Sequence, residues 1–399
     1  MARATAALGS TRRAAVAGWV LYDLAHVVFT MNIISLYFPL WVVDDAGGSD
    51  GNYGLASAIS MAFVFLAAPF LGALSDQARR RLSFLAVTTV GCCAFTLFLG
   101  EGGLVWSLAW FAVANAFFQW GLIFYDALLP PVSTEKYRGW VSGLGIGAGF
   151  AGAVLAVSLG LVVLSLDPDG KPLVFKLTAG LFLLAALPCF LWVREPVRAN
   201  PHPTRRAVVR QTFTEVKGMM QLARSYPGLR RFLIGRVFYT DAGNTALAFM
   251  GIYAAEEIGF SDLQTQILLL AGIVAGPKRT LNRLLVLWAV ALSLAAFIAS
   301  ANLPPATFWL IAPPVGVAVG GTATTDRPYL MRLAPPHAIG QCYGLNAMVG
   351  RFAAITGPLL WALTVDWLGW GRPVAVASLV AMNVVAGVIL RPVDDMTTA

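Results

Sequence analysis

Two ionisable side chains lie in the middle of the first long apolar run of the chain, in the stretch LYDLAHVVFT. Asp23 and His26 are three residues apart, a spacing that puts both side chains on one face of a helix. A carboxylate beside an imidazole is able to exchange protons near neutral pH, because imidazole titrates in that range. The pair therefore predicts either proton exchange or a structural hydrogen bond, and the sequence allows both.

Two later apolar runs contain further polar side chains. Asp241 and Asn244 repeat the three-residue spacing in FYTDAGNTALAF, whereas Arg351 follows Asn346 in YGLNAMVGRF. The planar guanidinium of Arg351 suits a substrate carboxylate or an ion pair with Asp241 or Asp23. Charges in hydrocarbon are costly unless they face a cavity or a partner. We therefore predict a substrate or proton pathway lined by Asp23, His26, Asp241, Asn244, Asn346 and Arg351, with a packing role for the Asp241 pair as the alternative.

The elements that carry these residues are predicted from composition. The chain is 58% hydrophobic and only 12% charged, and its mean hydropathy is +0.72. A soluble protein has about 25% charged residues. Apolar runs of about 20 residues recur along the chain, which is the length of a transmembrane helix. Since hydrocarbon cannot satisfy exposed backbone groups, an all-α polytopic membrane protein is expected.

The distribution of charge predicts the orientation in the membrane. The formal net charge is +8, which by itself would suit nucleic-acid binding. However, all but five of the 28 Lys and Arg lie in one set of alternate loops and at the termini. This positive-inside pattern predicts a multi-pass protein of the cell membrane with both termini in the cytoplasm. The expected partner of the basic loops is anionic lipid, and no nucleic acid is expected.

Hydropathy divides the chain into two halves of six spans each. Residues 1–193 form the first half, 194–229 a cytoplasmic linker with an amphipathic helix, and 230–399 the second half. The predicted spans are 15–43, 53–75, 82–100, 104–129, 139–166, 173–193, 230–255, 262–276, 284–301, 306–331, 340–366 and 371–391. The eighth is only about 21 Å long at 1.5 Å per residue, against about 30 Å of hydrocarbon. It is therefore predicted to be truncated, unless the bilayer thins around it.

The two halves also resemble each other in sequence. The Tyr-Asp motif of the first span (Tyr22, Asp23) returns in the seventh (Tyr239, Asp241). The fifth and eleventh spans share a Gly-Leu-x4-Gly pattern that begins at Gly143 and Gly344. These matches occur in the same order in both halves. They predict a parallel repeat, an arrangement that places the substrate site between the halves.

Other motifs argue against an enzyme. The fifth span contains a formal G-x-G-x-x-G at Gly147, Gly149 and Gly152, but no strand precedes it as a dinucleotide site requires. Close helix packing is the better interpretation. We find no catalytic or metal-ligand motif, so we predict no cofactor and no metal. Cysteines in apolar runs are interpreted as small packing residues; they are Cys92, Cys93, Cys189 and Cys342.

The connection after the second span, GALSDQARRR, resembles the G-x-L-x-D-x-x-x-R-R/K signature of the major facilitator superfamily, although Arg79 stands where the family usually has Gly. The resemblance implies two six-helix halves that rock about a substrate site, with a cytoplasmic gate in this loop. The charged residues at the cytoplasmic ends of the fourth and tenth spans allow gating or snorkelling to the interface. The candidate gate residues are Gly72, Asp76, Arg80, Arg81, Asp126, Asp326 and Arg327.

Four further segments are similar to the vacuole-effluxer-like branch of that superfamily, whose yeast member exports amino acids from the vacuole. They are GWVLYDLAH, FYDALLP, FYTDAGNTALAFMGIYAAE and YGLNAMVGRFAAITGPLLW. FYDALLP departs from the branch by placing Asp126 where an amide is commoner. The resemblance implies a monomeric secondary transporter of a small polar solute, working by alternating access with a proton as the candidate coupling ion. The alternatives are a transport-impaired scaffold or receptor, motivated by the short eighth span, and a lipophile or lipid transporter.

Overall fold

The fold is taken from a computed structural model of the chain. The structure describes residues 10–77, 81–134, 137–195, 214, 217–218, 220–258, 281–301, 303–311, 313–315, 317–318, 322, 330, 333 and 339–391. The described residues form helices joined by turns, which confirms the predicted all-α class. The predicted eighth span, 262–276, lies outside the described residues, so its predicted truncation stays a prediction. The tenth span, predicted at 306–331, is described only in part.

Ten long helices are labelled here in chain order. They are α1 (Ser10–Phe29), α2 (Asp50–Gln77), α3 (Arg81–Thr96), α4 (Leu104–Asp126), α5 (Arg138–Leu166), α6 (Lys171–Trp192), α7 (Pro227–Glu256), α8 (Leu281–Ser300), α9 (Ile339–Ala362) and α10 (Arg372–Leu390). Thus α1 to α7 correspond to the first seven predicted spans, and α8, α9 and α10 to the ninth, eleventh and twelfth. Shorter segments extend two of them: π-helical and α-helical turns continue α1 to Asp45, and Leu363–Trp367 continues α9.

Proline and glycine set several helix ends. α6, α7 and α10 carry proline in the first turn, where the missing N–H costs nothing and the fixed φ suits a helix. The turn between α3 and α4 uses Gly100, Gly102 and Gly103, with φ of 84°, 75° and 87°. Only glycine adopts such angles readily. The chain therefore reverses within a few residues, as a short connection between two spans requires.

Eight helices among the described residues are long and apolar enough to cross a membrane. They are Arg13–Asp45, Asp50–Ala68, Leu104–Asp126, Trp140–Leu166, Lys171–Trp192, Arg283–Ser300, Met348–Trp367 and Arg372–Leu390. α3 is apolar but shorter, and α7 is not among the eight although it has 30 residues. α7 carries Arg230, Arg231, Arg236 and Asp241, which lower its hydropathy. A multi-pass membrane protein is thus confirmed, and the number twelve stays a prediction.

The chain forms two compact units. Unit 1 consists of Met1–Trp41 and Leu66–Val209, and unit 2 of Val42–Phe65 and Arg210–Ala399. Val42–Phe65 comes early in the sequence but belongs to the second unit. α2 therefore begins in unit 2 and ends in unit 1. The predicted division into 1–193, 194–229 and 230–399 stays a prediction.

Each unit repeats the same packing scheme. In unit 1, α1 packs against α5 and α6, and α3 against α4 and α6. In unit 2, α7 packs against α9 and α10, and α8 against α10. α7, α8, α9 and α10 thus take the places of α1, α3, α5 and α6. This is the pairing that the internal sequence repeat predicts.

Glycines on α5 let α1 approach closely. A Cβ added at Gly152 would lie 2.5 Å from the carbonyl oxygen of Leu24, and one added at Gly149 would lie 2.9 Å from Cγ2 of Val27. A Cβ added at Gly147 meets nothing within 4 Å. Two of the three glycines in the formal G-x-G-x-x-G pattern therefore make helix contacts, as the packing interpretation predicts.

Candidate functional site

The polar pair on α1 lies inside unit 1, but its two side chains have different neighbours. The imidazole of His26 stacks on Phe118 of α4, with ring centroids 4.6 Å apart and planes inclined by 7°. The carboxylate of Asp23 lies in contact with Gly145 of α5, beside the ring of Trp19. Both side chains are partly buried. The three-residue spacing therefore places Asp23 next to α5 and His26 next to α4.

His26 is unusual among these groups. Both ring nitrogens are shielded from solvent, and neither has a hydrogen-bond partner. Aromatic rings surround the site, since Phe29 also stacks on Phe118 at 4.4 Å. The alternative of a hydrogen-bonded Asp23–His26 pair is therefore not what the structure contains. A buried polar group without a partner is uncommon in native proteins and calls for an explanation in function or bound solvent.

Asp241 occupies the corresponding region of unit 2 and is completely buried. Its Oδ1 accepts a hydrogen bond of 2.7 Å from the backbone N–H of Gly357 on α9, and its Oδ2 accepts one from the hydroxyl of Thr356. Pro358 lies inside α9 directly after these two residues. Asp241 thus accepts hydrogen bonds from a backbone N–H and a side-chain hydroxyl of α9, just before the proline within that helix. Asn244, three residues on, is exposed and does not join this contact.

A second polar contact joins α7 to α9 on the N-terminal side of Asp241. Nη1 of Arg236 donates a hydrogen bond of 2.9 Å to the backbone carbonyl of Asn346. The side chain of Asn346 is 8% exposed, and its Oδ1 is buried without a hydrogen-bond partner. Arg351, also on α9, is partly buried. Arg236 is not among the residues predicted from the sequence, although its charge within the predicted span 230–255 is a signal that could have included it.

The predicted cytoplasmic gate is described in part. The guanidinium of Arg81 donates a hydrogen bond of 3.0 Å to the carbonyl of Ala127, directly after α4. The carboxylate of Glu195, just beyond α6, accepts hydrogen bonds from the backbone N–H groups of Arg81 and Leu82, at 2.5 and 3.3 Å. The first turn of α3 is thus tied to the ends of α4 and α6 within unit 1.

The other gate residues are less fully described. Gly72 and Asp76 lie within α2, and the side chain of Asp76 lies outside the described residues. Asp126 is the exposed last residue of α4. Arg80, Asp326 and Arg327 lie outside the described residues. Whether these residues form a gate stays a prediction.

Sequence reasoning missed a charged cluster at one end of unit 2, centred on Arg372 at the start of α10. Its Nε and Nη2 each donate a hydrogen bond of 3.0 Å to the carboxylate of Asp50, the first residue of α2. Nε1 of Trp361 also donates to Asp50, at 2.8 Å. Glu256 and Glu257 at the end of α7 each have a carboxylate oxygen 3.7 Å from Nη1 of Arg372. We call these five residues the Arg372 cluster.

The same end of α2 has a further contact. Asp366 accepts a hydrogen bond of 2.7 Å from the backbone N–H of Gly51 and another from the hydroxyl of Ser49. A carboxylate at the start of a helix is stabilised by the positive end of the helix dipole. The beginning of α2 is therefore held in unit 2 at two places. Nothing in the sequence pairs Asp50, Glu256, Glu257 and Asp366 with their partners, because these contacts join residues that are far apart along the chain.

Metal chemistry has no support among the described residues. No group of three or more His, Cys, Asp or Glu in that part of the chain could hold a metal ion. The four cysteines are buried free thiols, in keeping with their interpretation as packing residues. The described side chains form ion pairs and hydrogen bonds within and between helices.

Comparison with known proteins places the chain in a family. The family model described as Major Facilitator Superfamily matches residues 25–277. The uncharacterised MFS-type transporter YxiO of Bacillus subtilis (strain 168) is 26% identical over 416 residues, covering 95% of each chain. A bacterial homologue of the human lysosomal transporter Spinster shares the fold, with a TM-score of 0.68 at 15% identity over 96% of each chain.

The nucleoside transporter NupG shares the fold as well, with a TM-score of 0.69 at 10% identity, covering 95% of this chain and 99% of its own. At such low identities these structures support the architecture alone, whereas the family model matches well over half of the sequence. The chain therefore belongs to the Major Facilitator Superfamily and is a membrane transporter, not an enzyme.

Proposed function

We propose that this transporter is a monomeric secondary active transporter that moves a small polar solute by alternating access and couples the solute to protons at Asp23 and His26. The observation that carries the coupling is the environment of His26, whose two buried ring nitrogens lack hydrogen-bond partners. Leaving such a group unsatisfied costs about 1–3 kcal/mol. Packing alone does not explain why the two ring nitrogens of His26 have no partners. Binding of a proton or a solute by this ring during the transport cycle does explain it.

Asp23 supplies the second half of the proposed proton site. Its carboxylate lies one helical turn from His26 on α1, in contact with Gly145. Because an ionisable residue within a membrane span is expensive, it marks a proton or substrate path by default. A proton bound in this part of α1 would therefore change the local charge during each cycle.

The charge pattern supports an orientation in the membrane. We propose that both termini lie in the cytoplasm and that the Arg372 cluster lies on the outer side, because its acids belong to the connections opposite the basic loops. Within unit 2, the bonds between Asp50 and Arg372 hold the start of α2 against α10.

The narrower similarity to the vacuole-effluxer-like branch supports an amino acid or a related metabolite as the solute. The segments that carry it include the described stretches around Asp23, Asp241 and Arg351. We propose Arg351 as a residue of the solute path, together with Asn244 and Asn346. Asp241, which is bonded to Gly357 and Thr356, would act there by holding α9 in place.

The test is uptake and efflux of amino acids by the purified protein in proteoliposomes, with and without a pH gradient. We expect solute movement together with a substrate-dependent change of internal pH. Asp23→Asn should abolish the pH change, and Arg351→Ala should reduce solute movement. Asp169→Asn, at an exposed acid in the connection between α5 and α6, is the matched control and should behave like the wild type.

Two results would contradict this proposal. If wild-type protein moves no solute and both pathway variants resemble it, the scaffold or receptor alternative replaces the transporter cycle. If solute flux is independent of pH and unchanged in Asp23→Asn, the proposed proton coupling is wrong, but the proposed solute transport is still supported. Protease protection of tagged termini in sealed right-side-out vesicles tests the orientation, and cytoplasmic termini should be protected.

A further inference from the structure

Asp241 is a carboxylate near the middle of α7 that has no cation beside it. Its side chain is 0% exposed. It accepts hydrogen bonds from the backbone N–H of Gly357 and the hydroxyl of Thr356, both on α9. No Lys, Arg or His side chain among the described residues forms an ion pair with it. Because a buried charge is costly unless it is paired, this carboxylate needs either a proton or a bound cation.

The hydroxyl of Thr245 lies beside this carboxylate. Thr245 is one helical turn after Asp241 on α7 and is also completely buried. A Cβ added at Gly357 would collide with both Oγ1 of Thr245 and Oδ1 of Asp241, so both oxygens lie against the same glycine of α9. Oγ1 of Thr245 nevertheless has no hydrogen-bond partner. A proton on Asp241 would neutralise its charge, but it would not account for this second oxygen.

The turn of α9 that faces Asp241 also lacks a regular helix bond. Pro358, directly after Gly357, lies inside the helix. Proline has no N–H, so it removes the hydrogen bond to the carbonyl four residues earlier, which here belongs to Ala354. In transporters with broken helices, backbone carbonyls released in this way coordinate Na+. This turn therefore carries a carbonyl without its helix donor close to the hydroxyl of Thr356.

Unit 1 shows that packing between the corresponding helices does not require the hydroxyl of Thr245. The repeat matches Asp23 of α1 with Asp241 of α7. One turn after Asp23, the side chain of Val27 packs on Gly149 of α5. Valine and threonine have nearly the same shape, but valine has no oxygen atom. Packing therefore does not explain the oxygen of Thr245, whereas binding of a ligand does explain it.

We propose that Asp241, Thr245 and Thr356 bind one Na+ ion between α7 and α9, inside unit 2. A single carboxylate balances one positive charge, which favours a monovalent cation over Ca2+ or Mg2+. The sequence has no metal-ligand motif of His, Cys or paired carboxylates, but such motifs serve transition and divalent metals. Na+ also binds hydroxyl and carbonyl oxygens, so it does not need them. The Na+ site is additional to the proposed proton site at Asp23 and His26.

The experiment measures Na+ binding by the detergent-purified full chain. Equilibrium dialysis with radioactive Na+ should show saturable binding of one ion per chain. Unlabelled K+ should displace it about tenfold less well than unlabelled Na+, because the site is small and fixed by two packed helices. In a thermal melt, NaCl should raise the Tm more than choline chloride does at the same ionic strength, since a ligand that binds only the folded protein stabilises it.

Variants remove single oxygen atoms or the charge from the site. Thr245→Val keeps the shape of the side chain and should weaken Na+ binding about tenfold or more, whereas Thr245→Ser should retain most of it. Asp241→Asn should abolish Na+ binding. Thr364→Val is the matched control, because the buried hydroxyl of Thr364 bonds to carbonyls of the preceding turn, and it should bind Na+ like the wild type. Thr245→Val should fold even if Asp241→Asn does not, since unit 1 has valine at this position.

A purely structural role of Thr245 predicts a different result. Removing a buried hydroxyl that has no partner should then leave Na+ binding unchanged and keep or raise the Tm. Unchanged Na+ binding in Thr245→Val or Asp241→Asn, equal binding of K+, or no saturable Na+ binding by the wild type would overturn the site. These measurements need no solute, so the Na+ site can be wrong while the proposed transport is still supported. If Na+ binds as expected but no solute moves in proteoliposomes, the transport proposal fails and the Na+ site is still supported.

Discussion

Asp50 and Arg372 lie at opposite ends of the sequence and form a two-pronged ion pair inside unit 2. Nε and Nη2 of Arg372 bind the two carboxylate oxygens of Asp50, each at 3.0 Å. The side chain of Asp50 is 1% exposed and that of Arg372 is 17% exposed. Bidentate pairs of this kind are among the stronger hydrogen-bonded contacts in proteins. The pair therefore holds the first residue of α2 against the first residue of α10.

Replacing Arg372 by Met should strongly destabilise the protein. The carboxylate of Asp50 would stay buried without its cation, which costs about 3–5 kcal/mol of unfolding free energy. The measurement is unfolding by a denaturing detergent, followed by circular dichroism. Lys176→Met is the matched control, because Lys176 and Glu101 are 2.6 Å apart but 43% and 56% exposed. Exposed pairs contribute about 0–1 kcal/mol, so equal losses in the two variants would contradict the assignment.

Adding a methyl group at Gly152 should separate α1 from α5. The new Cβ would meet the carbonyl oxygen of Leu24 at 2.5 Å, and backbone cannot move aside without shifting the helix. Overpacking of this type costs about 1–3 kcal/mol, which a thermal melt in detergent detects as a lower Tm. Gly147→Ala has nothing within 4 Å of its Cβ and should leave Tm unchanged or raise it slightly, because alanine favours the helix. A similar fall of Tm in both variants would argue against close packing at Gly152.

Removing the carboxylate of Asp241 should destabilise the contact between α7 and α9. In Asp241→Ala the N–H of Gly357 and the hydroxyl of Thr356 lose their acceptor, at a cost of about 1–3 kcal/mol. Asp241→Asn keeps one carbonyl oxygen and should lose less. In detergent-induced unfolding, the wild type should be the most stable, Asp241→Asn should be less stable, and Asp241→Ala should be the least stable. If Asp241→Ala is as stable as the wild type, the hydrogen bonds from Asp241 to α9 contribute nothing to the free energy of unfolding.

Glu195 should act as an N-terminal cap of α3. Its carboxylate accepts two backbone N–H groups of the first turn, at 2.5 and 3.3 Å. Losing a cap costs about 0.5–2 kcal/mol, and the loss should be local. Hydrogen exchange read by mass spectrometry should be faster in the first turn of α3 in Glu195→Ala, while the peptides of α8 serve as an internal reference. Unchanged exchange in α3 would rule out the cap.

His26→Phe separates packing from chemistry at the proposed proton site. Phenylalanine can keep the stack on Phe118 and removes two buried nitrogens that have no partners. Because unsatisfied polar groups are costly, Tm should stay the same or rise. The proton movement that accompanies the solute should disappear. Retained proton coupling in this variant, measured with a pH-sensitive dye inside proteoliposomes, would exclude His26 from the path.

Hydropathy alone placed the helices with good accuracy. The fifth span, predicted at 139–166, is α5 at Arg138–Leu166, and the seventh, predicted at 230–255, is α7 at Pro227–Glu256. Lipid requires long apolar helices, and the thickness of the bilayer sets their length. The length of each span is therefore visible in the sequence as the length of an apolar run. Proline and glycine mark several of the ends, as at Pro227 and Gly103.

The candidate site could be predicted only in its residue types. A charge inside an apolar run is visible in the sequence, which is how Asp23, His26, Asp241 and Arg351 were identified. Their partners were not visible, because contacts between helices depend on rotation and tilt. The three-residue spacing of Asp241 and Asn244 suggested a shared face, yet Asp241 is fully buried against α9 while Asn244 is exposed.

The sequence by itself therefore determined that this protein lies in a lipid bilayer, that its fold is all-α and that its two halves repeat. Each of these follows from local composition and from the order of motifs along the chain. The tertiary structure decided which groups meet. It joined Asp50 to Arg372 across almost the whole sequence, brought Arg236 to Asn346, and left the ring of His26 without a hydrogen bond. Such pairings arise from packing between distant helices, a three-dimensional property that no local pattern encodes.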